Sequence, residues 1–93
     1  MNNTITNLIS YGMKPIGKIT HYYSKAGVAI VELQDTLKVG DRIRIERGDN
    51  AFEQEVTSMQ KEYKQIQKAE NGDSVGIKVD QKVKEGALVL VQE

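Results

Sequence analysis

Ninety-three residues suit one domain, with a single core burying about 60–65% of the surface that the unfolded chain exposes. Thirteen Lys and Arg balance thirteen Asp and Glu, so no broad field draws in nucleic acid or an anionic membrane, and any such binding has to rest on a local patch. The chain has no cysteine, which excludes disulfides and thiolate metal sites.

Positions 1–13 carry Ile5, Leu8 and Ile9 at helical spacing before Tyr11-Gly12. They read equally as a short helix stopped at Gly12 or as a flexible arm. No basic stretch leads into an apolar run there, and no apolar segment approaches membrane-span length, so cytoplasm is the expected compartment. The folded domain is expected to span 14–93. Pro15 suits the opening of a strand. Positions 16–23, Ile-Gly-Lys-Ile-Thr-His-Tyr-Tyr, are rich in branched and aromatic residues. Regular alternation puts Gly17, Ile19, His21 and Tyr23 on one face and Lys18, Thr20 and Tyr22 on the other. A hairpin-sized loop at 24–27 precedes a second strand at 28–33.

The stretch 36–45, Thr-Leu-Lys-Val-Gly-Asp-Arg-Ile-Arg-Ile, organises the middle of the chain. Gly40 can take positive φ and Asp41 can bond nearby amides, so a central hairpin is expected to turn at 39–41. Arg42, Arg44 and Glu46 then alternate with Ile43 and Ile45, the period of a half-buried strand. Positions 47–50, Arg-Gly-Asp-Asn, turn again. Phe52 and Val56 keep one face and Glu53 and Glu55 the other, but the apolar phase slips between Val56 and Met59, for which a β-bulge near Thr57-Ser58 is expected. A polar stretch follows, broken by Tyr63 and Ile66, and Asn71-Gly72-Asp73 stops any helix. Val75, Ile77 and Val79 alternate, and after the Glu85-Gly86 turn an apolar strand over 87–91 closes the chain. About six strands, short turns and no long helix signal predict an all-β fold, a small closed or nearly closed antiparallel β-barrel of six or seven strands; closure would remove exposed edges.

Several residues together resemble a known family. Gly17-x-Ile19, the run 36–41, Gly72-Asp73-x-Val75-Gly76-Ile77 and Gly86 before a Val-rich strand are similar, in order and spacing, to domain 2 of the translational GTPases. This is the β-barrel that follows the G domain in elongation factor Tu and its relatives. The likeness covers 14–91. Positions 16–25, 35–41, 52–54 and 58–60 also resemble stand-alone translation elongation factor-like proteins and the C-terminal barrel of some U32-type peptidases. The resemblance implies a barrel of the translation-protein domain 2 type and a translation-related protein or RNA partner. It also makes Gln60 the counterpart of a Glu that elongation factors offer to the aminoacyl end of tRNA. No Gly-x-x-x-x-Gly-Lys-Ser/Thr loop is present, so neither nucleotide binding nor GTPase activity is expected.

No constellation in the sequence points to an enzyme. His21 is the sole histidine, without metal-ligand spacing around it, and Ser24, Ser58 and Ser74 lack a base and an orienting acid. No cofactor is expected. The residues singled out for partner or RNA contact are Tyr22, Arg42, Arg44, Gln60, Lys61 and Lys64. The arginines, with Arg47, would meet phosphates if the lysines lie beside them, and Tyr22, Tyr23 or Tyr63 would stack on bases. The alternative is a solvated face whose arginines pair with Glu53 and Glu55 across a hairpin, and zero net charge favours it. Three functions stay open: a non-catalytic binding module for a translation-related partner, an accessory subunit of a U32-type peptidase or other enzyme, and an RNA-binding barrel using the arginine face.

Overall fold

The longest strand sets the architecture. In the computed structural model, which describes residues 13–92, β1 (Met13–Tyr23) pairs with β2 (Val28–Leu33) on one side and with β10 (Leu88–Gln92) on the other. The expected arm or short helix at 1–13 lies outside the described residues except for Met13, which opens β1.

Strand β1 is not regular. Its register slips between Pro15 and Gly17 against β10, and between Ile19 and His21 against β2. The extra residue at Ile16 lets Ile16 and Ile19, three apart, both enter the core. The second slip, at Thr20, turns His21 outward although alternation would have kept it on the face of Ile19. Gly17 is needed beside the first slip, since a Cβ there would stand 2.8 Å from both the Glu32 carbonyl oxygen and Val31 Cγ1.

The remaining elements are β3 (Leu37–Lys38), β4 (Arg42–Arg47), β5 (Asn50–Glu55), β6 (Met59–Lys61), β7 (Lys64–Gln65), β8 (Lys68–Ala69) and β9 (Ser74–Lys78). No helix occurs among the described residues. Eight strands form one antiparallel sheet in the order β5-β4-β10-β1-β2-β9-β6-β7, and β3 pairs with β8 as a separate ribbon. The fold is all-β, as expected, but the closed barrel of six or seven strands gives way to an open sheet edged by β5 and β7. Two changes account for this. The chain is not a bulged strand at 56–58: β5 ends at Glu55, and β6 begins at Met59 near the opposite edge. The seam beside β5 is bridged by a side chain instead of a ladder. Buried Gln54 donates to the Lys78 carbonyl at 2.8 Å and accepts from the Asp80 amide at 2.8 Å, imitating a peptide group.

The central turn also differs in its partners. Asp41 N–H donates to the Lys38 carbonyl at 3.1 Å, Asp41 Oδ2 accepts from Lys38 N–H at 2.9 Å, and Gly40 has φ +99°. The turn chemistry is as expected, but the two arms do not pair: β3 goes to β8, while β4 pairs with β5 and β10. It is a link between two sheets, not a hairpin. The core lies on one face of the large sheet, where Ile16, Ile19, Val31, Ile43, Ile77 and Val89 are fully buried.

Candidate interaction surface

The β6–β7 hairpin is the most unusual local structure. Lys61 pairs with Lys64, so the turn has only Glu62 and Tyr63. Both are left-handed, with φ of 52° and 67°. A two-residue turn with positive φ at both positions matches the right-handed twist of the strands, but it is normally made of Asn and Gly. In residues with a Cβ the conformation costs about 1–2 kcal/mol each. Tyr63 is 99% exposed, so no packing among the described residues offsets that cost.

The hairpin is anchored from behind. Lys61 Nζ meets Asp73 Oδ1 at 2.8 Å, and Asp73 Oδ2 accepts from the Glu70 amide at 2.9 Å. Hydrogen bonding by Lys61, and next by the Glu70 amide, holds the Asp73 carboxyl below the usual carboxylate range, and Asp73 in turn raises Lys61. The anchor therefore fixes the tip that carries Tyr63.

Beside this tip lies an open groove of about 530 Å³ on the outward face of the sheet. Val28 and Ile30 of β2 and Gln60 of β6 flank it, with Tyr23 and Tyr63 at its rim. Gly76 of β9 forms the low floor between them: a Cβ there would stand 3.1 Å from Val28 Cγ1 and 3.5 Å from Gln60 Cγ. Tyr23 is itself steadied by His21, whose ring meets it edge-on with centroids 4.3 Å apart. His21 Nδ1 also lies 3.3 Å from Glu85 Oε2. A concave apolar strip with aromatic rims and few polar groups is suited to receiving a side chain or a short segment of another molecule.

The residues singled out from sequence separate into two groups. Gln60 lies in the groove, and Lys61 and Lys64 flank the turn beside it. Arg42 and Arg44 lie on β4, with β10, β1, β2 and β9 intervening before β6, so the arginines and lysines do not form one patch. Arg42 sits 3.7 Å from Glu53, and Arg44 reaches both Glu46 and Glu53. Tyr22 leans on the core, and its neighbour Tyr23 is the exposed one of the pair. Sequence reasoning missed Val28, Ile30 and Gly76 as a surface, because alternating apolar residues look alike whichever face is buried. Among the described residues no group of three or more His, Cys, Asp or Glu could hold a metal ion, and no helix is long and apolar enough to cross a membrane.

No protein-family model matches the chain. It is 37% identical over 86 residues to an uncharacterized protease of Methanocaldococcus jannaschii, a match that takes in 91% of this chain but only 21% of that protein. The chain thus spans about a fifth of the length of this curated relative. Two crystal structures of the C-terminal domain of a protein assigned as a U32 peptidase, from Geobacillus thermoleovorans, have the same fold, each with a TM-score of 0.78 at 17% identity. The overlap covers 86% of this chain and 99% of the domain in one, and 84% and 91% in the other.

Proposed function

We propose that the chain is a non-catalytic, protein-binding accessory domain that works beside a U32-type peptidase and docks on it through the Tyr63 groove. The observation that carries this reading is Tyr63 itself, an aromatic ring fully exposed on a strained turn at the rim of an apolar groove. Backbone strain with no packing to offset it among the described residues clusters at ligand clamps and binding sites, which supports an interaction role for this turn. Tyrosine is also enriched in protein interfaces, where its large rigid ring carries much of the binding energy. The likeness to a peptidase C-terminal domain and the 37% identity to a fifth of an uncharacterized protease support this reading ahead of a translation-related partner, which the elongation-factor resemblance alone would favour.

The test is calorimetric titration of the pure chain with a U32-type peptidase from the same host. Binding is expected, with Tyr63→Ser weakening it by about tenfold or more, as for an interface anchor. Gly76→Ala, which raises the groove floor, should weaken it as well. A folded chain that gives no heat with the peptidase, or binds equally well as Tyr63→Ser, overturns the reading.

A further inference from the structure

We propose a second site at the opposite edge of the sheet: the open side of β5 takes an extended peptide in which a large apolar side chain is flanked by carboxylates. This proposal stands on its own geometry and does not depend on which enzyme the domain serves.

Among the described residues, strand β5 has a ladder partner on one side only, β4. Its far end, from Gln54 onward, is covered. The Gln54 amide bonds the carbonyls of Glu55 and Lys78 and the amide of Asp80, and Val56 exchanges backbone bonds with Gly40 and Asp41. The near half, Asn50 to Phe52, instead faces the segment 81–84 across a cavity of about 240 Å³. Because β4 and β5 are joined by two residues, the closing pair Arg47 and Asn50 exchanges the first ladder bonds. Alternation then turns the amides and carbonyls of Ala51 and Glu53 toward the open side. Among the described residues these groups have no backbone partner there. An added strand could bond them directly, the mode by which sheet edges capture extended peptides.

The cavity selects what that strand carries. Its floor is Phe52, Val83 and Ala87, the last two buried. Its volume falls below that of pockets for drug-sized ligands, which start near about 300 Å³, and suits one large side chain. A peptide residue opposite Phe52 would point its side chain to the same face, into this floor. Among the described residues, the charged side chains lining the cavity are Arg47, Lys82 and Lys84, all cationic, with no acidic one. None of the three has an ion pair among the described residues, and Arg47 spends its Nε–H on the Glu85 carbonyl at 3.0 Å. A ligand matching this rim puts carboxylates two residues either side of its apolar anchor, on the same face of the strand.

The experiment uses the full chain, labelled with ¹⁵N, and the capped probe peptide Thr-Glu-Thr-Phe-Thr-Glu-Thr. Titration should shift the amides of Ala51, Phe52, Val83 and Lys84, and the amides of Ala51 and Glu53 should gain protection from hydrogen exchange. Replacing the probe's Phe with Ala, or its Glu residues with Lys, should weaken binding about tenfold or more. The double change Lys82→Glu with Lys84→Glu should do the same to the original probe and restore binding of the Lys probe, a rescue that loss of folding cannot imitate. Four results overturn the proposal: no shift at about 1 mM probe, shifts confined to the Tyr63 groove, protection of Ala51 that depends on protein concentration alone and so assigns the edge to a second copy, or displacement of the probe by oligouridylate at the same concentration, which assigns the rim to phosphates. No peptidase is present in this assay, so its failure and that of the docking reading are distinguishable.

Discussion

The β4–β5 hairpin turns at Gly48-Asp49 and the β6–β7 hairpin at Glu62-Tyr63, each with two residues between paired strands. In the first, Gly48 takes φ +61° and Asp49 keeps an ordinary negative φ, the pattern of a turn with glycine at its first central position. In the second, neither residue is a glycine and both are left-handed. The twist of the flanking strands asks the same of both turns. The first meets it at little steric cost, and the second meets it with a ring held out in solvent. The edges differ in the same sense. β7 is two residues long, too short to template much pairing, whereas β5 is six residues long and covered only from Gln54 onward. The proposed docking site is thus the place where the chain departs from the cheapest local solution.

The largest effect that would sharpen this contrast is expected at Gly48. Valine there would be forced into the left-handed region, and nothing lies within 4 Å of the new Cβ to add a clash. Gly48→Val should therefore lose about 1–3 kcal/mol from backbone strain alone, read from the urea midpoint. Next comes the opposite experiment on the other turn. Glu62→Asn with Tyr63→Gly should stabilise the domain by about 1–2 kcal/mol, because the strain of two residues is relieved, a gain offset in part by the extra backbone entropy that a glycine loses on folding, while peptidase binding is lost. A fall in stability would break the comparison, since it would show that the strained turn supports the fold.

A smaller and pH-dependent effect is expected at the anchor behind Tyr63. Asp73 has its folded pKa depressed, first by Lys61 and then by the Glu70 amide. Its contribution is fully present above the ordinary carboxylate range, at about pH 4 and higher, and is lost as pH falls through the depressed value. Acid titration followed by the ¹⁵N shifts of Lys61 and Lys64 should show the β6–β7 tip loosening in that window, and Asp73→Asn should diminish that transition. The Gly48 hairpin is tied to the segment at Glu85 through Arg47 and a backbone carbonyl, which does not titrate. A transition of equal size in both hairpins would defeat the assignment to Asp73.

Much of the scaffold was legible in the sequence. Alternation over 42–46 and 75–79 located β4 and β9, and the Gly40-Asp41 turn adopts the backbone and hydrogen bond its residues called for. Three features were not legible, each for a physical reason. Strand pairing is non-local: nothing near Leu37 tells it to meet Ala69 and not the strand that follows the turn. The slip from Val56 to Met59 signalled a broken phase, but a bulge and a change of sheet edge leave the same three-residue spacing. In β1 the three-residue spacing of Ile16 and Ile19 was visible, yet an unbroken β-rich run hid the two bulges that reconcile it with one core face. At the candidate site, Gln60, Lys61 and Lys64 were singled out and lie in or beside the groove, whereas the left-handed backbone of Tyr63 has no sequence signal at all, since tyrosine is a residue the turn rules would not choose.

The smallest effect is expected on the arginine face, which is the counter-case to Tyr63. Arg42 and Arg44 project from β4, whose other side carries Ile43 and Ile45 into the core. Their guanidinium groups are engaged with Glu53 and Glu46 across and along the hairpin. Such exposed pairs contribute about 0–1 kcal/mol each, because solvent screens the charges and holding long side chains in place costs entropy. Replacing both arginines with Ser should therefore leave the melting temperature nearly unchanged. Peptidase capture should be equally unaffected, because four strands separate β4 from the Tyr63 hairpin and the change touches neither its strain nor its anchor. RNA binding with a steep salt dependence that this double variant abolishes would reverse the assignment, making the paired arginines the working surface and the exposed tyrosine the idle one.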